Sequence, residues 1–211
     1  MPPTELHRVA DFCRISTGYT VRVRLEPEEE RGVLAIQLRD VPDRGQIDPG
    51  SLRRFQLSDV PDHFLVGSGD VIFRSRGERN TACVVGNNVT EPIVAILPLM
   101  ILRPDRSRAL PDYLAWAINQ PDAQRQLDTL ARGTDLRMIP KSALEDVRLP
   151  IPDLGLQQRI VTLNNLAARE QYLLRELADR REQLLTSVLT QWATGREATT
   201  EQGELDVQSS S

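Results

Sequence analysis

Short apolar runs separated by turn residues fill residues 1–150. Five of them have the length and composition of buried strands, and they cover residues 33–38, 71–73, 81–85, 93–97 and 99–102. The run at 71–73 follows the turn sequence Gly-Ser-Gly-Asp at 67–70, and Pro98 separates the last two runs. This spacing predicts a curled, mostly antiparallel β-sheet.

Helical patterns appear after these runs. Residues 111–118 begin with a proline, which suits the first turn of a helix. Pro121 interrupts the pattern, so we expect a second helix over 122–132 with Gly133 as its C-terminal cap. Residues 147–152 contain two prolines, which disfavour helix in the residues before them and predict a final strand. Residues 1–152 are therefore predicted to form one mixed α+β domain.

A single helical pattern continues from residue 153 to residue 193. The apolar positions that form its stripe include Leu156, Ile160, Leu163, Leu174, Leu177, Leu184 and Val188. A helix from Leu156 to Trp192 spans roughly 55 Å, more than a domain of this size covers, so we expect the stripe to bind a second helix as a coiled coil. The alternative is a helix that folds back on its own domain. Residues 194–211 are polar and are expected to be disordered.

Two charged residues, Glu170 and Arg181, interrupt this stripe. In an antiparallel pair of identical helices that cross midway, Glu170 of one chain would face Arg181 of the other, and Leu174 would face Leu177. The pattern therefore suggests a register for a homodimer formed through the C-terminal helix.

The net charge of −4 is unfavourable at first sight for a protein that binds nucleic acid, but the charges are unevenly distributed. Acidic residues predominate in the tail from Arg196 onward, and the rest of the chain is close to neutral. All but one of the 26 basic side chains are arginines, the exception being Lys141. Planar guanidinium groups suit phosphate and the guanine edge. A protein that mimics DNA needs dense carboxylates, so the arginine content argues against that class.

Signals for secretion and for membrane insertion are absent from the sequence. The first residues lack a signal-peptide pattern, and the longest apolar run, residues 93–102, is about half the length of a membrane helix. Cys13 and Cys83 are far apart, which fits a reducing compartment. The two histidines are too few for a zinc site. We therefore expect a cytoplasmic protein without a metal.

The motifs of enzymes that act on DNA are also absent. The sequence contains no Asn-Pro-Pro-aromatic tetrapeptide to hold a flipped adenine and no glycine-rich loop after a strand to bind S-adenosylmethionine. A PD-(D/E)xK nuclease centre requires an acidic residue two positions before its lysine, whereas Ile139 and Pro140 precede Lys141. We expect no catalytic residue and no cofactor in this chain.

Arginines in two regions are candidates for contact with DNA. Arg74, Arg76 and Arg79 surround Gly77, where a strand delivers its end to a glycine loop. Arg22 and Arg24 alternate along a predicted strand and would share one face of the sheet. Phosphate contacts would set affinity, and contacts to base edges would set specificity. The alternative is that these arginines are solvated side chains paired with nearby carboxylates.

Several segments together resemble the specificity subunits of type I restriction-modification systems. They are residues 66–77, 111–127 and 131–161, with the long helix that follows. The shared features are a glycine-aspartate turn, a helix pair that ends in a glycine-threonine loop, a proline-containing strand and a glutamine that opens the helix. In this sequence they are Gly69-Asp70, Gly133-Thr134, Leu149-Pro150-Ile151-Pro152 and Gln157-Gln158.

This resemblance implies a target-recognition domain that reads DNA and a helix that separates recognition units. It brings the loop of Thr134, Arg137 and Lys141 close to DNA. Members of the family hold two such units in tandem, so this chain resembles a half-subunit, and two copies would read a symmetric bipartite site.

The partners that the resemblance implies are double-stranded DNA and an adenine methyltransferase subunit that holds S-adenosylmethionine. A restriction motor-nuclease subunit would be a further component of such a phage-defence complex. The alternative function is a coiled-coil scaffold, or a truncated remnant, that reads no DNA and competes for the methyltransferase subunit.

Overall fold

The computed structural model describes residues 5–21, 26–28, 31–43, 45–57, 59–77, 79–131 and 138–195. They form a mixed α+β domain followed by a long C-terminal helix, which confirms the predicted fold class. The chain divides into two compact units, Met1–Asn164 and Asn165–Ser211.

The described residues contain eleven strands in three sheets. The strands are β1 (Leu6–Arg8), β2 (Cys13–Thr17), β3 (Val33–Ile36), β4 (Gln46–Ile47), β5 (Arg53–Phe55), β6 (Leu65–Val66), β7 (Val71–Arg74), β8 (Ala82–Val85), β9 (Ile93–Ala95), β10 (Leu99–Pro104) and β11 (Arg148–Pro150). The sheets have the orders β2-β10-β7-β8-β4, β5-β3-β9-β6 and β1-β11. Only the β3-β9 and β4-β8 pairs are parallel, so the predicted, mostly antiparallel pairing is confirmed.

Four α-helices and four short 3-10 helices complete the described structure. The α-helices are α1 (Pro111–Ile118), α2 (Pro121–Leu130), α3 (Lys141–Asp146) and α4 (Leu154–Ala193), and the 3-10 helices are Val9–Asp11, Leu38–Asp40, Pro49–Ser51 and Asp62–Phe64. Helix α1 has the bounds that its opening proline predicted. The predicted cap Gly133 lies outside the described residues.

The central strands are apolar at consecutive positions because both faces of the five-stranded sheet are buried. In β7, Val71 and Phe73 join the core beneath α1, α2 and α3, whereas Ile72 joins the core between the two large sheets. Successive side chains of a strand point to opposite faces, so Cys83 of β8 likewise lies opposite Val84. A run such as Val-Ile-Phe therefore contributes side chains to two cores, one on each face of the sheet.

Five strands and one helix were missed by the sequence analysis. Strands β4 and β6 have two residues each and exist only because they pair with β8 and β9. Strands β1, β2 and β5 carry exposed arginines that interrupt an apolar pattern. Helix α3 has only six residues, too short for a readable helical period, and Lys141 was expected in a loop.

The two large sheets are joined where the chain continues from β2 to Tyr19. The Gly18 amide donates to Leu99 (2.8 Å), and the Tyr19 amide donates to Ala95 (2.7 Å), so consecutive residues bond to different sheets. A Cβ at Gly18 would stand 2.8 Å from the Ala95 carbonyl oxygen. Glycine is therefore required here because the two backbones approach closely.

The glycine-aspartate turn also connects the sheets. Gly69 has a positive φ of 82°, and the Asp70 carboxylate accepts from the Gly67 amide at 3.1 Å. Asp70 also pairs with Arg103 of β10 at 3.1 Å, and Arg103 donates to the carbonyl oxygen of Leu65 in the other sheet at 2.5 Å. The turn therefore positions a half-buried ion pair between the sheets.

Helix α4 begins inside the first compact unit. The Gln157 side chain is fully buried; its carbonyl oxygen accepts from the Leu110 amide (2.8 Å), and its amide donates to the carbonyls of Arg108 (2.8 Å) and Pro152 (2.7 Å). Val161, one turn later, packs into the core. The unit consequently extends to Asn164 rather than ending at the first residue of the helix.

Candidate nucleic-acid interface

The Gly77 loop is the turn of the β7-β8 hairpin. Phe73 pairs with Ala82, and the Arg74 amide donates to the Thr81 carbonyl at 2.8 Å. Gly77 has a φ of 121°, a backbone angle that residues other than glycine rarely adopt. Apart from the two chain neighbours of Gly77, no atom of the described residues lies within 4 Å of the place a Cβ would occupy, so glycine is required for its backbone conformation and not for lack of space.

Amide side chains from the helices fix the ends of this loop. Asn119 accepts from the Ala82 amide (2.9 Å) and donates to the Ala82 carbonyl (2.8 Å), as a neighbouring strand would. Gln124 donates to the Asn80 carbonyl at 3.0 Å, and the Asn80 side chain donates to the Arg74 carbonyl at 3.1 Å. The loop is thus held at both ends while Gly77 lies in open space.

The structure brings Met138 and Ile139, which follow Arg137 in the second predicted loop, to the Gly77 loop. The Ile139 amide donates to the Ser75 carbonyl at 2.8 Å, and Met138 forms an antiparallel bridge with Arg76. Thr134 and Arg137, two of the predicted DNA contacts, lie outside the described residues. Residues that are distant in sequence therefore meet at one edge of the domain.

The three arginines near Gly77 have different surroundings. Arg76 is exposed, and no ion pair is recorded for it among the described residues. Arg79 is 72% exposed and lies 3.5 Å from Asp43. Arg74 is only 19% exposed; it donates to the Val41 carbonyl and lies 3.4 Å from Asp43. Arg74 therefore has partners inside the protein, whereas Arg76 and Arg79 present guanidinium groups to solvent.

Two further basic side chains of the described residues, Lys141 and Arg54, are each paired with a carboxylate. Lys141 is the first residue of α3, and its ammonium lies 3.4 Å from Glu145. Arg22 and Arg24 lie outside the described residues. Arg54 forms a bidentate pair with Glu91 (2.6 and 2.5 Å), and the hydrogen bond from Arg54 holds the pKa of Glu91 below its ordinary value. The Arg54 guanidinium is thus engaged in a structural ion pair.

Three residues that shape this edge were missed by the sequence analysis: Asp43, Asn119 and Gln124. Asp43 follows a proline in a polar turn, and the two amides lie near helix ends, where such residues are common. Their partners are 31 or more positions away. No local pattern indicates these contacts.

The thiols do not form a reactive or metal-binding site. Burial raises the pKa of Cys13 to about 12 and that of Cys83 to about 11, so both thiols are protonated at neutral pH. No cluster of metal ligands occurs within the part of the chain that the structure describes. Across the same residues, no helix combines the length and the apolar character needed to span a membrane.

The predicted partner stripe of α4 divides into two parts. Ile160 packs against the core of the first unit, and Leu156 is half-buried. From Asn165 onward the apolar side chains are largely exposed, with Leu174 at 59%, Leu177 at 64% and Leu184 at 64%. Leu163 is 67% exposed, although it belongs to the first unit, and Val188 is half-buried.

Leucines that the sequence analysis left out widen this stripe. One of them, Leu185, lines a shallow apolar surface with Ala178 and with the predicted Leu174 and Leu177. Arg181 and Glu182 complete this surface. Further exposed apolar residues of α4 are Leu166, Leu173, Leu189 and Trp192. An amphipathic helix with a stripe of this width requires an apolar surface to cover it.

No protein-family model and no curated protein matches this chain. Solved structures do match. A chain from a structure of a type I restriction-modification system, solved to describe complex assembly and conformational transition, has a TM-score of 0.67 at 20% identity, over 89% of this chain and 44% of its own length.

Two S subunits have the same fold. The HsdS subunit from Thermoanaerobacter tengcongensis gives a TM-score of 0.60 at 20% identity, over 92% of this chain and 49% of its own. The S subunit of the type I restriction-modification system from M. genitalium gives 0.57 at 13% identity, over 90% and 45%. This chain spans about half the length of these solved chains. It therefore has the fold found in about half of a type I restriction-modification S subunit.

Proposed function

We propose that this chain is the sequence-reading subunit of a type I restriction-modification or methylation complex. The observation that carries the proposal is the bridge between Arg76 and Met138, because it brings the residue that follows Arg137 to the Gly77 loop, and the sequence analysis expected DNA contacts in both segments. The likeness to S subunits supports the same assignment. Arg76 and Arg79 would contact the duplex from the Gly77 loop, with Lys141 close to the second loop.

The chemistry of this edge suits recognition and not catalysis. Guanidinium groups bind phosphate and the N7 and O6 atoms of guanine through paired donors. The chain would direct an adenine methyltransferase subunit, which would bind S-adenosylmethionine itself. A restriction subunit would join as a further component and would cleave DNA. This chain would contribute binding energy and sequence discrimination only.

Two copies would read a bipartite site. The exposed leucines of α4 offer a surface for a second helix. A symmetric pair would place two recognition edges at a spacing that the paired helices fix. The target would then be a palindrome interrupted by a gap.

Reconstitution with the methyltransferase subunit from the same genome tests the assignment. We expect the complex to methylate adenine at one bipartite motif in a host that lacks other methyltransferases, which sequencing of modified bases would reveal. Arg76→Ala should weaken binding to that motif by about 1–3 kcal/mol if Arg76 contacts a base. The matched control is Arg148→Ala, which removes an exposed arginine from the small β1-β11 sheet.

The outcomes separate the two candidate functions. A complex that assembles but binds no DNA would identify the chain as a scaffold or competitor for the methyltransferase. Equal losses in Arg76→Ala and Arg148→Ala would show that the Gly77 loop does not read the target.

A further inference from the structure

The segment before β4 is fixed onto the β7-β8 hairpin. The Val41 carbonyl accepts from the Arg74 guanidinium, and the Pro42 carbonyl accepts from the Cys83 thiol at 3.0 Å. Both donors belong to the hairpin that carries the Gly77 loop. Two consecutive carbonyls therefore hold the backbone next to Asp43 in place.

This attachment positions the Asp43 carboxylate between two guanidinium groups. One oxygen lies 3.4 Å from Arg74, and the other lies 3.5 Å from Arg79. The side chains are 19% exposed for Arg74, 53% for Asp43 and 72% for Arg79. Arg74 is the fixed cation of the trio, and Arg79 is the exchangeable one.

We propose that Asp43 limits the binding of this chain to DNA of arbitrary sequence by holding Arg79. The inference rests on the proposed function. The Asp43 carboxylate is an anion of the protein itself, and it pairs with the Arg79 guanidinium as a DNA phosphate would. Binding to any duplex must replace this contact, so a lone phosphate gains little from Arg79. A target guanine beside Arg79 would offer two acceptors in fixed positions, N7 and O6, which a phosphate at an arbitrary sequence does not.

Arg74 makes this exchange reversible. An ion pair between exposed side chains contributes little to stability, so DNA can displace Asp43 from Arg79. The carboxylate then retains Arg74 as its partner and is not left without a cation. Asp43 also remains close to the duplex and repels phosphates that do not follow the path of the target.

Removing the carboxylate tests the proposal. Asp43→Asn should raise the affinity of the purified full-length chain for a duplex of randomised sequence about threefold to tenfold at low salt, measured by fluorescence anisotropy. The slope of log K against log salt concentration should steepen by about 0.9, because one more phosphate contact forms. The matched control is Asp59→Asn, which makes the same charge change in an exposed turn between β5 and β6.

A double variant shows whether Asp43 acts through Arg79. Adding Arg79→Ala should abolish the gain caused by Asp43→Asn. A gain that persists without Arg79, or that equals the gain in Asp59→Asn, would overturn the proposal. If the parent chain and its methyltransferase complex bind no duplex of any sequence, the proposed function fails first and the role of Asp43 fails with it.

A comparison of single arginine variants keeps the test decisive if Asp43→Asn does not fold. Arg79→Ala should reduce binding to the randomised duplex less than Arg76→Ala does, because Asp43 already neutralises Arg79. Equal or larger losses in Arg79→Ala would contradict the proposal.

Discussion

Core leucines of the first compact unit and stripe leucines of the second have opposite environments. In the first unit, Leu114 and Leu149 are at most 1% exposed. In the second, Leu174, Leu177 and Leu184 are 59–64% exposed. The first unit therefore buries a core of its own, although Leu163 at its end is exposed, whereas the described part of the second unit, one amphipathic helix, buries none of its apolar side chains. The difference shows that a local helical pattern can be fully formed while the packing that stabilises it must come from outside the segment.

The same contrast applies to polar groups. Buried polar side chains of the first unit have specific partners, such as Gln157 with Leu110, Arg108 and Pro152. In the described part of the second unit, Arg180 pairs with Glu176, which lies one turn away on the same helix. Long-range hydrogen bonds define the structure of the first unit, whereas the helical repeat of apolar residues defines that of the second.

Charge placed on the α4 stripe should have the largest effect. Leu174→Asp with Leu177→Asp would put four charges into the crossing of an antiparallel pair, and burying unpaired charges costs several kcal/mol each. We expect the proposed dimer to dissociate completely in analytical ultracentrifugation. The first unit should keep its unfolding transition.

The control for this variant is Gln183→Asp with Ser187→Asp, which adds the same two charges per chain on the helix face away from Leu174 and should leave the dimer intact. A parent chain that stays monomeric at the highest concentration it tolerates, both alone and with the methyltransferase subunit, would rule out the dimer.

Loss of the buried amide at the start of α4 should have the next largest effect. Gln157→Ala leaves one amide and two carbonyls without their partner, and an unsatisfied buried group costs about 1–3 kcal/mol. We expect the free energy of unfolding to fall by about 3 kcal/mol or more in a urea titration. The neighbouring Gln158 is exposed, so Gln158→Ala should change it by less than about 0.5 kcal/mol. Similar values for the two variants would show that the start of α4 is not anchored through Gln157.

The smallest expected effect is on the pH dependence of stability. It tests whether the Cys83 thiol is shielded from water in the first unit. Burial raises the pKa of Cys83 from 9.0 to about 11, so the folded state keeps the thiol protonated while the unfolded state ionises above pH 9. This contribution to stability is present below pH 9 and is lost as the pH rises toward 11. Between pH 9 and pH 10 the loss is about 1 kcal/mol.

The pH dependence of Cys83→Ala isolates this contribution. Other groups titrate equally in both proteins, so the variant should lose stability less steeply than the parent between pH 9 and pH 10. Identical slopes in urea titrations at the two pH values would show that the Cys83 thiol ionises in the folded state as it does in the unfolded chain.

Parts of the candidate interface were readable from the sequence, because glycine marks positions with unusual backbone angles. Gly77 indicated the loop that carries Arg76 and Arg79. The different roles of the arginines were not readable, since Arg74 differs from its neighbours only through Val41 and Asp43, which lie 33 and 31 positions away. All of the predicted DNA contacts remain predictions, and Arg22, Arg24, Thr134 and Arg137 also lie outside the described residues.

The sequence by itself determined the elements whose pattern is local. Apolar runs specified β7, β8, β9 and β10, an opening proline specified α1, and a repeating stripe specified α4, because strand and helix periods are recorded in neighbouring residues. The tertiary structure alone decided that the two-residue strands β4 and β6 form and that Arg76 meets Met138. It also decided that Asp43 meets Arg79. Each of these contacts joins residues that are distant in sequence, and their proximity depends on how the sheets and helices pack. The residues next to them in the sequence give no indication of that packing.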